Sequence, residues 1–178
     1  MNYRRLYVPN SILFVTIVTS KRRNILIENI ELLKYSINNA HRFYDFTIYA
    51  ICVLEDHLHF LIKPENIEEY SKIILLVKRT FSQKIDINKI ADYKLSTSMI
   101  KRKERDIWQR RFWEHTIIDE KDLFCHIDYI HYNSMKHYNI APKNWRFSTF
   151  NKFVQNNYYE ADWLNLEDKY GVKNLNYE

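Results

Sequence analysis

Residues 47–63 hold two apolar, strand-like runs separated only by Glu55-Asp56. So short a polar break reads as a tight turn, which makes the two runs an antiparallel hairpin. Pro64 ends the second run, because proline cannot continue a central strand ladder. This hairpin constrains the fold most, since it pins two adjacent antiparallel strands in the chain. Its second arm also carries His57-Leu58-His59. Side chains alternate along a strand, so both imidazoles point to one face and Leu58 to the other.

The remaining periodicities supply the neighbours. Residues 11–20, SILFVTIVTS, are β-branched and apolar, which predicts a strand. Residues 28–43 set Ile30, Leu33, Ile37 and Ala40 at the spacing of an amphipathic helix. A second helix is predicted over 67–87, with Ile73, Leu76, Val77, Phe81 and Ile85 on one side. Residues 86–106 are polar and lysine-rich and read as an excursion. Residues 107–118, IWQRRFWEHTII, alternate and predict a strand. Asp119-Glu120 then opens a helix to about His137, acidic in its first turn and carrying Lys136 and His137 in its last, as the helix dipole favours. The first six elements follow the split β-α-β-β-α-β order. The predicted class is α+β, a ferredoxin-like or RRM-like antiparallel sheet with helices on one face. One domain is expected over 1–142, and residues 143–178 form a tail that packs on it or extends it.

Composition narrows the partner. A net charge of +5 favours a polyanion. An aromatic content of 16% is too high for a disordered basic tail, and it supplies rings on which bases can stack. The single glycine, Gly171, excludes Gly-rich phosphate loops. Two isolated cysteines, Cys52 and Cys125, suggest a reduced compartment rather than a disulfide scaffold. The N-terminal residues carry no apolar leader core and no stretch reaches bilayer length, so a cytoplasmic protein without a membrane partner is expected. Basic clusters occur at Lys21-Arg22-Arg23, Lys78-Arg79, Lys101-Arg102-Lys103 and Arg110-Arg111. The last interleaves with Trp108, Phe112 and Trp113, a pairing of cation and ring that suits unpaired bases. Arg22, Arg23, Arg110, Arg111 and Trp108 are the candidate DNA-binding residues.

The helix after Asp119 turns the histidine pair into a candidate site. Leu123, Ile127, Ile130 and Ser134 form its core stripe, and His126, Tyr129 and Asn133 group on an adjacent face. Tyr129 is the candidate nucleophile toward a phosphodiester. Asn133, four residues on, is the candidate third ligand beside His57 and His59. Two imidazoles and an amide are neutral, so a divalent ion held by them keeps its full charge to polarise a phosphate oxygen. Such a mixed nitrogen and oxygen set suits Mg²⁺ or Mn²⁺ better than structural zinc. A phosphotyrosine link conserves the energy of the diester, which suits cutting and rejoining. Tyr132 is the rival nucleophile, about 60° away on the wheel and with no amide four residues on. Asp56 either orients His57 or shapes the turn, with the turn preferred. His115 either enters the pocket or packs beside Trp113. His126 reads as a solvated helix histidine, with assistance to proton transfer as the alternative.

These residues resemble the HUH family of DNA-nicking enzymes, and more closely the single-tyrosine IS200-type transposases of the REP-associated branch. The resemblance runs over about 3–163 through RRLYVPN, LEDHLHFLI, WQRRFWEHTIIDE, HIDYIHYNSMKH and WRFSTFNKFV, in that order. It implies that His57, His59 and Asn133 hold the metal and that Tyr129 forms a 5′-phosphotyrosine, leaving a 3′-hydroxyl. It further implies a single-stranded DNA substrate with palindromic hairpins, acted on by a monomer or a homodimer. The chain departs from the family pattern at Ser134, where proline is common, and at Tyr138, where glycine is usual. Two other readings stand beside this one: an inert RRM-like single-strand binding module, and a metal-dependent hydrolase that activates water.

Overall fold

A computed structural model describes residues 8–164 apart from Asp92 and Lys103. Four strands, β1 (Leu13–Val18), β2 (Phe46–Val53), β3 (His57–Pro64) and β4 (Trp113–Thr116), form an antiparallel sheet in the order β2-β3-β1-β4. That order is the one a split β-α-β-β-α-β unit produces.

Alternation along the strands divides the core in two. Leu13, Val15 and Ile17 of β1 and Leu58, Phe60 and Ile62 of β3 point to one face. There they meet α1 (Ile30–His41) and α2 (Tyr70–Lys84) through Leu33, Ala40, Ile73, Ile74, Val77 and Phe81. Phe14 and Leu61 point to the other face, against Ile127, Tyr129 and Ile130 of α4 (Glu120–Tyr138). The first two helices therefore share one face, and α4 covers the opposite one. In β2 a bulge between Ile48 and Ala50 switches parity. Ile48 packs toward α1, and Ala50 and Cys52 then face α4. One extra residue is enough for this, because the strand period is two.

Two elements differ from the sequence expectation. The strand expected over 107–118 is regular only at Trp113–Thr116. Upstream, the chain touches the end of β1 through a Thr19–Trp108 bridge and a Gln109 N–H to Val18 carbonyl bond of 2.9 Å, then turns away. Lys78 Nζ donates to the carbonyls of Gln109 (2.7 Å) and Arg110 (3.5 Å) in this irregular stretch. The excursion over 86–106 is not uniformly irregular. It holds a short helix, α3 (Thr97–Lys101), whose N-cap Ser96 accepts from the Met99 N–H.

α4 is well delimited. Asp119 caps its start by accepting from the Asp122 N–H at 2.8 Å. Asn139 ends it in the left-handed region (φ 54°), and its N–H and that of Ile140 close back on Met135 and Ser134. Ser134 and Tyr138 fit this end: Ser134 Oγ donates to the Ile140 carbonyl, and Tyr138 Oη accepts from the Glu55 N–H in the hairpin turn. Beyond α4, residues 147–149 pair with the outer edge of β2 before α5 (Phe150–Gln155). This contact is an isolated bridge, and the sheet itself has four strands among the described residues. Among the described residues no helix is long and apolar enough to cross a membrane.

Candidate active site

The site lies between β3 and α4. His57 and His59 are both buried and face α4, while Leu58 packs toward α1 and α2. Each imidazole has its Nδ1 engaged. His57 Nδ1 meets Asp56 Oδ1 at 2.5 Å, and His59 Nδ1 meets Thr16 Oγ1 at 2.8 Å from the cross-strand position directly opposite. A carboxylate can only accept, so a proton sits on His57 Nδ1, and in the neutral ring Nε2 carries the lone pair. Nε2 is then the nitrogen of each ring suited to a metal, with the partner on Nδ1 fixing the ring orientation.

Asp56 does more than shape the turn, which was its preferred sequence reading. Its second oxygen accepts from Arg22 Nη1 at 3.0 Å. Burial pushes the Asp56 carboxyl up, but the hydrogen bonds and charges of His57 and Arg22 outweigh it and hold the group below the usual carboxylate value. The carboxylate therefore remains ionised against His57.

On α4, Tyr129, Asn133 and His137 recur at four-residue intervals and share one stripe. The Tyr129 ring is 5.2 Å from the His59 ring, and the His137 ring is 5.1 Å from the His57 ring. Asn133, the middle member, thus lies on the stripe that spans the histidine pair. Its Nδ2 donates to the Tyr129 carbonyl at 2.6 Å. Its Oδ1 is buried and accepts no hydrogen bond among the described residues. An amide oxygen in that state carries a desolvation cost of about 1–3 kcal/mol unless something fills its lone pairs. A cation held jointly with the two imidazoles would do so, and the neutral donor set fits a divalent ion. Tyr129 is 1% exposed, and Lys136 Nζ lies 3.3 Å from its Oη. Tyr132 is half-buried against the same cluster; the ring contact to His59 belongs to Tyr129.

His115 and His126 form a neighbouring constellation. The Asp122 carboxylate bridges them, at 2.7 Å to His115 Nε2 and 3.0 Å to His126 Nδ1. His126 is not the solvated residue its sequence context suggested: it is 1% exposed. Burial pushes its imidazole below the usual value against the opposing pull of Asp122, which favours the neutral form. Phe14 contacts His126, His59 and Tyr129 with ring separations of 4.7, 5.6 and 5.8 Å, so it packs between the two histidine groups. Donor atoms of His115, Asp122 and His126 lie within 4.8 Å of one another, close enough to hold a cation.

Of the candidate DNA-binding residues, Trp108 and Arg110 line one cavity with Lys78, Arg79, Arg102 and Arg105, and the Arg22-Arg23 loop lies against the same segment through the Thr19–Trp108 bridge and the Ser20 N–H to Ile107 carbonyl bond. Arg22 is exposed and tied to Asp56, and Arg110 and Arg111 are exposed. Arg23 has a side chain only 10% exposed, and its guanidinium donates to the Asp106 carboxylate and carbonyl. Trp108 Nε1 donates to the Lys78 carbonyl, and its half-buried ring packs 5.1 Å from Phe81. Trp113, 40% exposed, is the accessible ring of that segment. Lys103 lies outside the described residues. Sequence reasoning missed Thr16, which only the strand register identifies. It took Lys136 and His137 as dipole residues, although their spacing from Tyr129 and Asn133 was a usable signal.

Residues 8–133 match the family described as transposase IS200 like. The chain belongs to this transposase family. A Haemophilus influenzae protein bearing the REP-associated tyrosine transposase name is 37% identical over 165 residues, covering 91% of this chain and 92% of the relative. The REP-associated tyrosine transposase of Escherichia coli K12 is 30% identical over 164 residues, covering 90% and 89%. A solved REP-associated tyrosine transposase bound to a REP hairpin superposes with a TM-score of 0.74 at 30% identity, covering 92% of this chain and 90% of that one. Every residue of the histidine, tyrosine and asparagine site falls within the matched IS200-like span.

Proposed function

We propose that this transposase is a metal-dependent single-stranded DNA endonuclease and strand transferase that forms a 5′-phosphotyrosine at hairpin DNA of the REP type. The observation that carries the reading is the buried, unfilled Oδ1 of Asn133 on the same helical stripe as a tyrosine packed on His59. Its relatives' names, and the hairpin bound by one solved relative, support the choice of substrate.

His57, His59 and Asn133 would hold Mg²⁺ or Mn²⁺, with Asp56 and Thr16 fixing the two rings. When bound, such an ion polarises a phosphate oxygen and offsets the charge that develops there. Tyr129 loses its phenolic proton as its Oη bonds phosphorus. The P–O3′ bond breaks, and the departing oxygen takes up a proton to become a 3′-hydroxyl. Attack of a DNA 3′-hydroxyl on the phosphotyrosine reverses these bonds and rejoins a strand, with no nucleotide consumed. The histidines and Tyr129 meet within one chain, so a monomer suffices for this chemistry.

The test incubates the protein with a hairpin-bearing single strand and Mn²⁺ or Mg²⁺, followed by denaturing electrophoresis. A denaturation-resistant adduct, lost with chelator and in Tyr129→Phe, is the expected result. Hydrolysis without adduct would replace this reading with the water-activating hydrolase. Binding alone would leave an inert module.

A further inference from the structure

Lys136 lies in the last two turns of α4, seven residues beyond Tyr129. Its backbone position is that of an ordinary exposed cation near a helix C-terminus. Its ammonium, however, reaches back along the helix over the buried tyrosine. Nζ lies 5.1 Å from the Tyr129 ring centroid and 3.3 Å from Oη. The dipole of α4 would be served by a cation pointing anywhere around its final turn, so it does not account for this direction.

We propose that Lys136 is a catalytic residue whose ammonium holds the non-bridging phosphate oxygens beside Tyr129 Oη and offsets the charge they gain during transfer. The inference rests on the reading of Tyr129 as the nucleophile. A phosphate bonded to Oη lies within reach of a cation 3.3 Å from that oxygen. The side chain is long and flexible, so it can move from the phenol to the phosphate as the substrate arrives. The step remains balanced without any change in Lys136. The Oη–P bond forms, the P–O3′ bond breaks, the phenolic proton goes to solvent, and the 3′-oxygen takes one from solvent. The diester carries one negative charge before and after, and the ammonium acts on the additional charge in between. Rejoining runs through the same bonds in reverse, so the same cation serves both directions.

The position also answers a feature of the histidine site. Its side chains are two imidazoles and an amide, and the carboxylate of Asp56 acts through His57. The described residues of α4 that face the tyrosine hydroxyl include one fixed positive charge, that of Lys136. A divalent ion held by the histidines and asparagine would supply charge on their side of the phosphate, and Lys136 adds a fixed charge on the Tyr129 side.

The test is single-turnover adduct formation on a saturating hairpin-bearing single strand with Mn²⁺, in wild type, Lys136→Met, Lys136→Arg and Tyr129→Phe. Lys136→Met is expected to lower the first-order rate by about 10²-fold, the scale for removing one charge-stabilising donor. DNA affinity should fall far less than the rate, because one phosphate contact among several is lost, and Tm should stay near the wild-type value, because the residue is exposed. Lys136→Arg should recover most of the lost rate. A Lys136→Met rate within threefold of wild type would overturn the assignment, as would a rate loss accompanied by an equal loss of DNA affinity. If Tyr129→Phe still forms the adduct, the tyrosine reading itself fails. If Tyr129→Phe is inert and Lys136→Met is fully active, only the role of Lys136 fails.

Discussion

Replacing Asp56 tests how the first histidine is held. The carboxylate offers two acceptor oxygens, and each has a donor: His57 Nδ1 at 2.5 Å and Arg22 Nη1 at 3.0 Å. Asparagine would offer one acceptor and one donor, so one of these bonds must go. Arg22 is 44% exposed and can turn to water cheaply, whereas the His57 ring is buried. Asp56→Asn should therefore keep its oxygen on His57 and release Arg22. Asp56→Ala removes both bonds and leaves the ring free to change tautomer. Loss of a group that orients a metal ligand costs about 10–100-fold in metal affinity. With tenfold equal to about 1.4 kcal/mol, Asp56→Asn should fall near the lower end and Asp56→Ala near the upper, about 2.7 kcal/mol. The assay is a Mn²⁺ titration of adduct formation at saturating DNA. The expected result is a half-saturating Mn²⁺ concentration that rises in the order wild type, Asn, Ala, with the rate at saturating metal largely recovered. Identical titration curves for wild type and Asp56→Ala would refute the orienting role.

Other consequences are as specific. Asn133→Ala should abolish adduct formation while lowering Tm only slightly, because it removes an unfilled acceptor along with one bond to the Tyr129 carbonyl; retention of wild-type metal dependence would contradict the ligand assignment. Burial holds His131 near a pKa of about 3, against an ordinary value near 6.5. Between those values the unfolded chain takes up a proton that the folded chain refuses, so stability falls as pH drops, by up to about 1.4 kcal/mol per pH unit. Tm measured from pH 7 to 4.5 should fall less steeply in His131→Gln than in wild type, and parallel curves would contradict this. Arg23→Met removes one partner of the Asp106 carboxylate, which keeps Ser20 and Lys21, and should destabilise by about 1–3 kcal/mol in denaturant unfolding. Arg110→Ala and Arg111→Ala should instead leave stability unchanged, and each should reduce the slope of log affinity against log salt by about 0.7 on a single strand.

Features fixed by local period were legible in the sequence. The alternation through His57, Leu58 and His59 needed only the strand repeat, and it put both imidazoles toward α4. The four-residue spacing of Tyr129 and Asn133 likewise needed only the helix repeat. Features that depend on a partner from elsewhere in the chain were not. The strand over 107–118 is regular only at its end, and nothing in IWQRRFWEHTII announces that Lys78 bonds the carbonyls of Gln109 and Arg110 where the ladder is missing. Arg23 reads as a surface cation until Asp106, eighty-three residues away, is seen to neutralise it. His126 reads as solvated because the helical wheel does not reveal that Phe14 and His115 close over it. Thr16 becomes part of the site only through the register that sets it opposite His59.

On the proposed mechanism Tyr129 Oη carries the covalent link to DNA. Digesting the trapped adduct with nuclease and protease, then sequencing the modified peptide by mass spectrometry, tests it most directly. A 5′-phosphonucleotide is expected on Tyr129, with Tyr132 in the same peptide unmodified. A nucleotide on Tyr132, or on no tyrosine at all, would contradict it.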